Sequence, residues 1–141
     1  MIGSVAKTQA PVDNDKLIEQ AKKVRERAHA AYSGFFVGAA LVDESGQLHV
    51  GCNVENSSFP EGSCAEANAI GAMVASGGRK ILTIAVVGGK EQLEDCTPCG
   101  GCRQRIREFS SDETRIIAMS GDGDFVAHSI DELLPKSFQL K

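Results

Sequence analysis

The sequence predicts an α/β protein, a three-layer α/β/α fold around a five-stranded mixed sheet. Three observations carry that prediction. An apolar run at 81–87, a helical stretch at 99–109 and a second apolar run at 114–119 make a β–α–β alternation, whose two strands run parallel. The apolar runs 35–42 and 47–52 are separated only by Asp43-Glu44-Ser45-Gly46, which marks a β-hairpin. The runs 114–119 and 125–128 are joined only by Ser120 to Asp124, too short for a parallel crossover, so that pair is antiparallel.

The elements follow in order. Residues 1–12 lack periodicity and include Pro11, so they read as a flexible leader. Residues 13–141 read as one domain, in keeping with a chain of 141 residues. From Asp13 to Ala31 the apolar residues Leu17, Ala21, Val24 and Ala28 step by helical turns, predicting an amphipathic helix. Cys64 to Ser76 is rich in alanine and suits a helix that lies close on a sheet, ended by Gly77-Gly78. In the 99–109 helix, Thr97 is the expected N-cap and Pro98 the first-turn residue. Ser129 to Leu134 predicts a short helix before Pro135.

Composition excludes several classes. Lys plus Arg is 15 against 19 Asp plus Glu, and a net charge of −4 argues against a surface built for DNA or RNA phosphates. No apolar run approaches a membrane span, and Met1 to Ala10 has no long apolar core of a secretion signal. The expected location is cytoplasmic. In that reducing compartment the 5 cysteines read as metal ligands or nucleophiles before disulfides.

Pro98-Cys99-Gly100-Gly101-Cys102 places two thiols one helical turn apart at a helix start, where the helix dipole favours thiolates. Cys64 stands at another helix start and is followed by Ala65 and Glu66. Three thiolates on Zn²⁺ leave a fourth position open, the mark of a catalytic site. Glu66 is placed to reach that position without being a ligand. Spacing alone leaves other readings open. The Cys99/Cys102 pair also suits a redox dithiol, and Ser63-x-x-Glu66 also fits a helix capping box. Cys96 or Cys52 as a fourth thiol would close the site as structural zinc. His29, His49 and His128, expected on one helix and two strands, have no ligand spacing and read as surface or structural histidines.

Cys64-Ala65-Glu66 with Pro98-Cys99-Gly100-Gly101-Cys102 resembles the zinc nucleoside and nucleobase deaminases, and more narrowly the small homotetrameric cytidine deaminases. The resemblance spans about residues 15–140. Tyr32 to Leu41, Gly51-Cys52-Asn53-Val54-Glu55-Asn56, Cys102-Arg103-Gln104 and Glu132 to Phe138 continue it. It implies a cytidine-deaminase-like fold with one zinc per chain on Cys64, Cys99 and Cys102, and Glu66 as the proton shuttle. It further implies that Asn53 and Glu55 bind ribose hydroxyls, that Phe35 and Ala65 line the nucleoside pocket, and that Phe138 reaches the base in a neighbouring subunit's site. The implied reaction is hydrolysis of cytidine and deoxycytidine to uridine and deoxyuridine plus ammonia, in pyrimidine salvage. The runner-up is another cytosine nucleoside, such as blasticidin S, as substrate. A zinc-stabilised protein without activity is a third class. The implied partners are a small nucleoside and further copies of the chain, with neither nucleic acid nor membrane.

One departure from the resembling proteins bears on chemistry. Arg is frequent after the Cys-Ala-Glu triplet, and here Ala67 stands there. Three thiolates and Zn²⁺ sum to −1, an excess that the arginine offsets. The helix N-termini at Cys64 and Cys99, with Arg103, are the expected substitutes. Phe59 and Ala31 also replace a frequent Tyr and Pro, with smaller consequence.

Overall fold

The computed structural model describes residues 13–140; the leader expected at 1–12 lies outside the described residues. Helix α1 (Asn14–Arg25) starts on Asp13, whose carboxylate accepts from the backbone N–H groups of Asp15 and Lys16. Strands β1 (Phe36–Asp43) and β2 (Leu48–Cys52) form the expected antiparallel hairpin. A 3₁₀ turn at Phe59–Glu61 precedes α2 (Ala65–Ala75), and β3 (Ile81–Gly89) follows. After the short β4 (Leu93–Glu94) come α3 (Gly100–Glu108), β5 (Arg115–Met119), β6 (Phe125–His128) and α4 (Ile130–Leu133).

The sheet runs β2-β1-β3-β5-β6, with β4 paired to the end of β3. The β3–β5 pair is parallel and β5–β6 antiparallel, as the connection lengths require. The sheet therefore has six strands where five are expected. The extra one is two residues long, too short for a period-two pattern to register, and pairs through backbone at Gly88 and Gly89.

Alternation along the strands builds a core on each face. Ala40, Ala85, Val87 and Ile117 pack with Leu17, Ile18 and Ala21 of α1. Ala39, Leu41, Ile84, Val86 and Ile116 face the other way, against Ala65, Ala69 and Met73 of α2, with Ile106 of α3 and Ile130 of α4. Three layers result.

Helix α1 stops at Arg25, short of the expected Ala31. Its apolar periodicity continues, yet tertiary bonds win. The Arg25 guanidinium donates to the carbonyls of Phe36, Gly89 and Lys90 at 3.0, 2.9 and 2.7 Å. His29 then leaves the helix and bridges to Val54, donating its N–H to Asn53 O while its carbonyl accepts from Glu55 N. His29 is thus on extended backbone, not on a helix. His49 is buried with Nε2 2.7 Å from Asp43 Oδ2, a satisfied structural histidine. Burial would raise the Asp43 pKa, but hydrogen bonds from Ser45, His49 and Gln47 outweigh it and hold it at about 2, so the hairpin turn keeps its carboxylate.

Two glycines set how close the helices lie. A Cβ at Gly38 would sit 2.1 Å from Ala21 O, and one at Gly51 would sit 2.4 Å from Ala69 N and 2.6 Å from Ala65 O. The atoms in the way are helix backbone, so no rotamer change relieves them. Gly51→Ala must therefore push α2, with Cys64 at its head, off the sheet. The expected loss is about 1–3 kcal/mol of stability, read as a lower denaturant midpoint, together with weakened metal binding. An unchanged midpoint would show that α2 does not depend on this contact.

Candidate active site

The site is built where the N-termini of α2 and α3 meet. Cys64 caps α2 with extended backbone, and Cys99 caps α3 likewise. The expectation of Thr97 as N-cap is corrected: Cys99 O accepts the first helical bond, from Arg103 N, and Thr97 Oγ1 accepts from the Arg103 guanidinium instead. Cys102 lies buried in the first turn of α3. The sulfurs of Cys64, Cys99 and Cys102 all lie within 4.8 Å of one another.

Ser63 fixes the entry to α2. Its backbone exchanges two hydrogen bonds with Val54, at 2.9 and 3.0 Å. Its hydroxyl accepts from Asn68 Nδ2, which also donates to Cys52 O. The capping-box alternative fails on these bonds, because Ser63 N–H is already given to Val54 O. Glu66 therefore does not cap the Ser63 N–H, and it lies buried at 4% exposure. Burial raises its pKa, opposed in part by hydrogen bonds from its own backbone N–H and from Cys102 and, least, by the Arg105 charge.

The thiols differ in environment. Burial pushes Cys64 and Cys102 up, and the neighbouring Glu66 charge adds to both. The backbone N–H of Cys102, at the open end of α3, draws Cys99 down. Such a cluster ionises together only around a cation. Three thiols at this spacing fit Zn²⁺ and leave a fourth position open. Cys96 lines the neighbouring cleft but stands outside the cluster, a half-buried thiol whose partial burial raises its pKa to about 11. Cys52 ends β2 half-buried, also outside it. A closed four-thiol site is therefore not formed, and a bare Cys99/Cys102 dithiol does not account for Cys64.

A cleft of about 390 Å³ opens onto Cys64, Glu66 and Cys99. Phe35, Asn53, Glu55 and Ala65 line it as well. Phe35 is half-buried and precedes β1 rather than lying within it. Asn53 Nδ2 donates to Phe35 O at 3.0 Å, and its Oδ1 accepts from Val37 N at 2.8 Å. Glu55 accepts from the backbone N–H groups of Tyr32 and Ser33 and from the Ser33 hydroxyl, which together lower its pKa. Both polar residues therefore also fasten the cleft wall. Phe138 is 68% exposed and does not line the cleft of its own chain.

Arg103, expected to offset the thiolate charge, does not reach it. Its guanidinium donates to Pro98 O, Leu133 O and Thr97 Oγ1, tying the turn before α3 to α4. Arg105 is the arginine that meets the cluster, with Nη1 3.8 Å from Cys102 Sγ. The sequence signal for it was present: Arg105 is one helical turn past Cys102, on the same face.

Residues 11–119 match the family described as the cytidine and deoxycytidylate deaminase zinc-binding region. The chain belongs to that family. Among curated relatives of the deaminase family, the cytidine deaminase of Sporosarcina psychrophila is 40% identical over 127 residues, covering 90% of this chain and 92% of the relative. The crystal structure of cytidine deaminase from Burkholderia pseudomallei is 40% identical with a TM-score of 0.81, covering 90% of this chain and all of that one (100%). That from Mycobacterium tuberculosis is 34% identical with a TM-score of 0.79, covering 92% and 99%. The three-layer deaminase fold and the zinc-binding character of the thiol cluster stand on these matches together with the geometry above.

Proposed function

We propose that this protein is a cytidine deaminase, hydrolysing cytidine and deoxycytidine to uridine and deoxyuridine with release of ammonia. The observation that carries the reading is a single cleft in which the thiol cluster and buried Glu66 face Phe35, Asn53 and Glu55. Cys64, Cys99 and Cys102 would hold the zinc ion. When bound, zinc lowers the pKa of water and supplies a nucleophile at neutral pH.

The protein's own groups do the rest. Oxygen from water replaces the amine at C4, so the two water protons must go to ring N3 and to the departing nitrogen. The Glu66 carboxyl carries them, and its burial suits a group that must hold a proton and then give it up. Asn53 keeps one amide N–H beyond its bond to Phe35 O, and Glu55 is a carboxylate with further acceptor capacity; both serve ribose hydroxyls. Phe35 and Ala65 supply the apolar wall.

The active unit is read as a homotetramer with shared sites. Supporting it, Phe138 is 68% exposed, and its carbonyl accepts from Gln104 on α3, close to the cluster-bearing end of the molecule. Tyr32 and Phe59 form an exposed edge-to-face pair, ring centres 5.9 Å apart, beside the cleft. The single domain over 13–141, the cytoplasmic location and a place in pyrimidine salvage belong to the same reading. It fits an acidic surface with no nucleic-acid partner, and no described helix is long and apolar enough to cross a membrane.

Glu66→Gln should retain zinc and lose at least about 10²-fold in turnover, measured by metal analysis and by the loss of cytidine absorbance. Loss of zinc with turnover intact in what remains would overturn the assigned role. Free cytosine should be a far poorer substrate than cytidine, because sugar-binding groups are left unpaired. Asn53→Ala and Glu55→Gln should shrink that preference, whereas equal loss on both substrates would mean that these residues only fasten the wall. Chains carrying Glu66→Gln and chains carrying Phe138→Ala, unfolded and reassembled together, should regain sites of near wild-type affinity. A mixture without such a high-affinity active fraction, or a fully active monomer, would rule out sharing through Phe138.

A further inference from the structure

A cluster of three thiolates around a divalent cation carries one excess negative charge, and Glu66 lies buried beside it. Residue 67, on the first turn of α2, is an alanine and supplies no cation. The excess charge has to be met from elsewhere.

Helix α3 carries Arg103, Arg105 and Arg107, and two of them are occupied. Arg103 is spent on three oxygen acceptors around Pro98 and Leu133. Arg107 is spent on Asp131 and Gln139. Arg105 makes its one hydrogen bond among the described residues to Cys102 Sγ, at 3.8 Å. The same nitrogen lies 3.2 Å from where a Cβ on Gly101 would stand, so the missing side chain at Gly101 keeps its path open. A guanidinium stays charged at any working pH, and its weak hydration suits contact with a soft sulfur.

We propose that Arg105 is the charge-balancing residue of this zinc site, delivering from α3, through the Cys102 sulfur, the positive charge that Ala67 does not provide on α2. Arg105 acts on the metal through a ligand and does not touch the substrate, so it is a positioning residue. The proposal rests on the zinc deaminase reading above. Its chemistry has two consequences. The anionic thiolate complex is stabilised, which slows zinc loss, and less negative charge reaches the metal, which leaves it a stronger Lewis acid.

The test compares wild type with Arg105→Met, Arg105→Lys and the double variant Arg105→Met/Ala67→Arg. The readouts are the rate of zinc transfer to a chromophoric chelator, kcat and KM for cytidine, and thermal midpoint. Loss of an outer partner of a metal ligand typically changes affinity or rate about 10- to 100-fold. Arg105→Met should therefore release zinc at least about ten times faster and lose kcat with little change in KM or thermal midpoint. Arg105→Lys should remain close to wild type, and the added Arg at 67 should restore both zinc retention and kcat. If Arg105→Met matches wild type in zinc release and kcat, or if Arg105→Lys is as impaired as Arg105→Met, the charge-balancing role is wrong. A wild-type protein that neither holds zinc nor deaminates cytidine would instead overturn the deaminase reading itself.

Discussion

Three sulfurs held within 4.8 Å of one another repel once ionised, and only a cation between them makes the arrangement favourable. Everything around the cleft serves to hold them there. The thiols come from two helix starts, where free backbone N–H groups and the helix dipole stabilise negative charge. Helix α2 is pressed on the sheet at Gly51 with backbone against backbone. Helix α3 is set by the β3–α3–β5 crossover, whose strands are locked in parallel register from Thr83–Arg115 to Val86–Ala118. Neither helix can shift without the sheet shifting too, so the spacing of the sulfurs is inherited from the register of the strands.

The cleft wall uses its polar groups twice. Asn53 staples the carbonyl of Phe35 to the N–H of Val37, and Glu55 gathers the turn at Tyr32 and Ser33. These bonds satisfy backbone groups that the start of β1 would leave unpaired. The same two side chains line the cleft, so groups that line it are also held by bonds to the backbone. The thiols and Glu66 sit on helix starts, while Asn53 and Glu55 both sit on the segment leading out of β2 and Phe35 on the one leading into β1.

Charge around the metal site is assembled by a different logic. Arg103 and Arg105 are two residues apart on α3, so they point in different directions and do different work. One ties the turn before α3 to α4, and the other reaches a ligand sulfur. The alanine at 67 and the arginine at 105 are far apart in the chain, and they become parts of one problem only because α2 and α3 pack side by side.

The sequence by itself determined three strand pairs (β1–β2, β3–β5 and β5–β6), the alternation of β3, α3 and β5, and the three thiols with Glu66. These rest on local pattern, connection length and residue chemistry, all of which are written along the chain. Other features were decided by tertiary structure alone, the long antiparallel pairing of β1 with β3 among them. Helix α1 ends at Arg25 although its apolar periodicity runs on, because the Arg25 guanidinium is claimed by carbonyls of β1 and of the end of β3. Thr97 has the chemistry of an N-cap but is turned to Arg103, and Cys99 takes that place. Strand β4 pairs with Gly88 and Gly89 at the end of β3, and a two-residue strand carries no pattern of its own along the chain. Which arginine meets Cys102 depends on the angular position of a side chain on a packed helix and on which acceptors lie opposite it. Those acceptors come from segments remote in sequence, and no spacing along the chain encodes them.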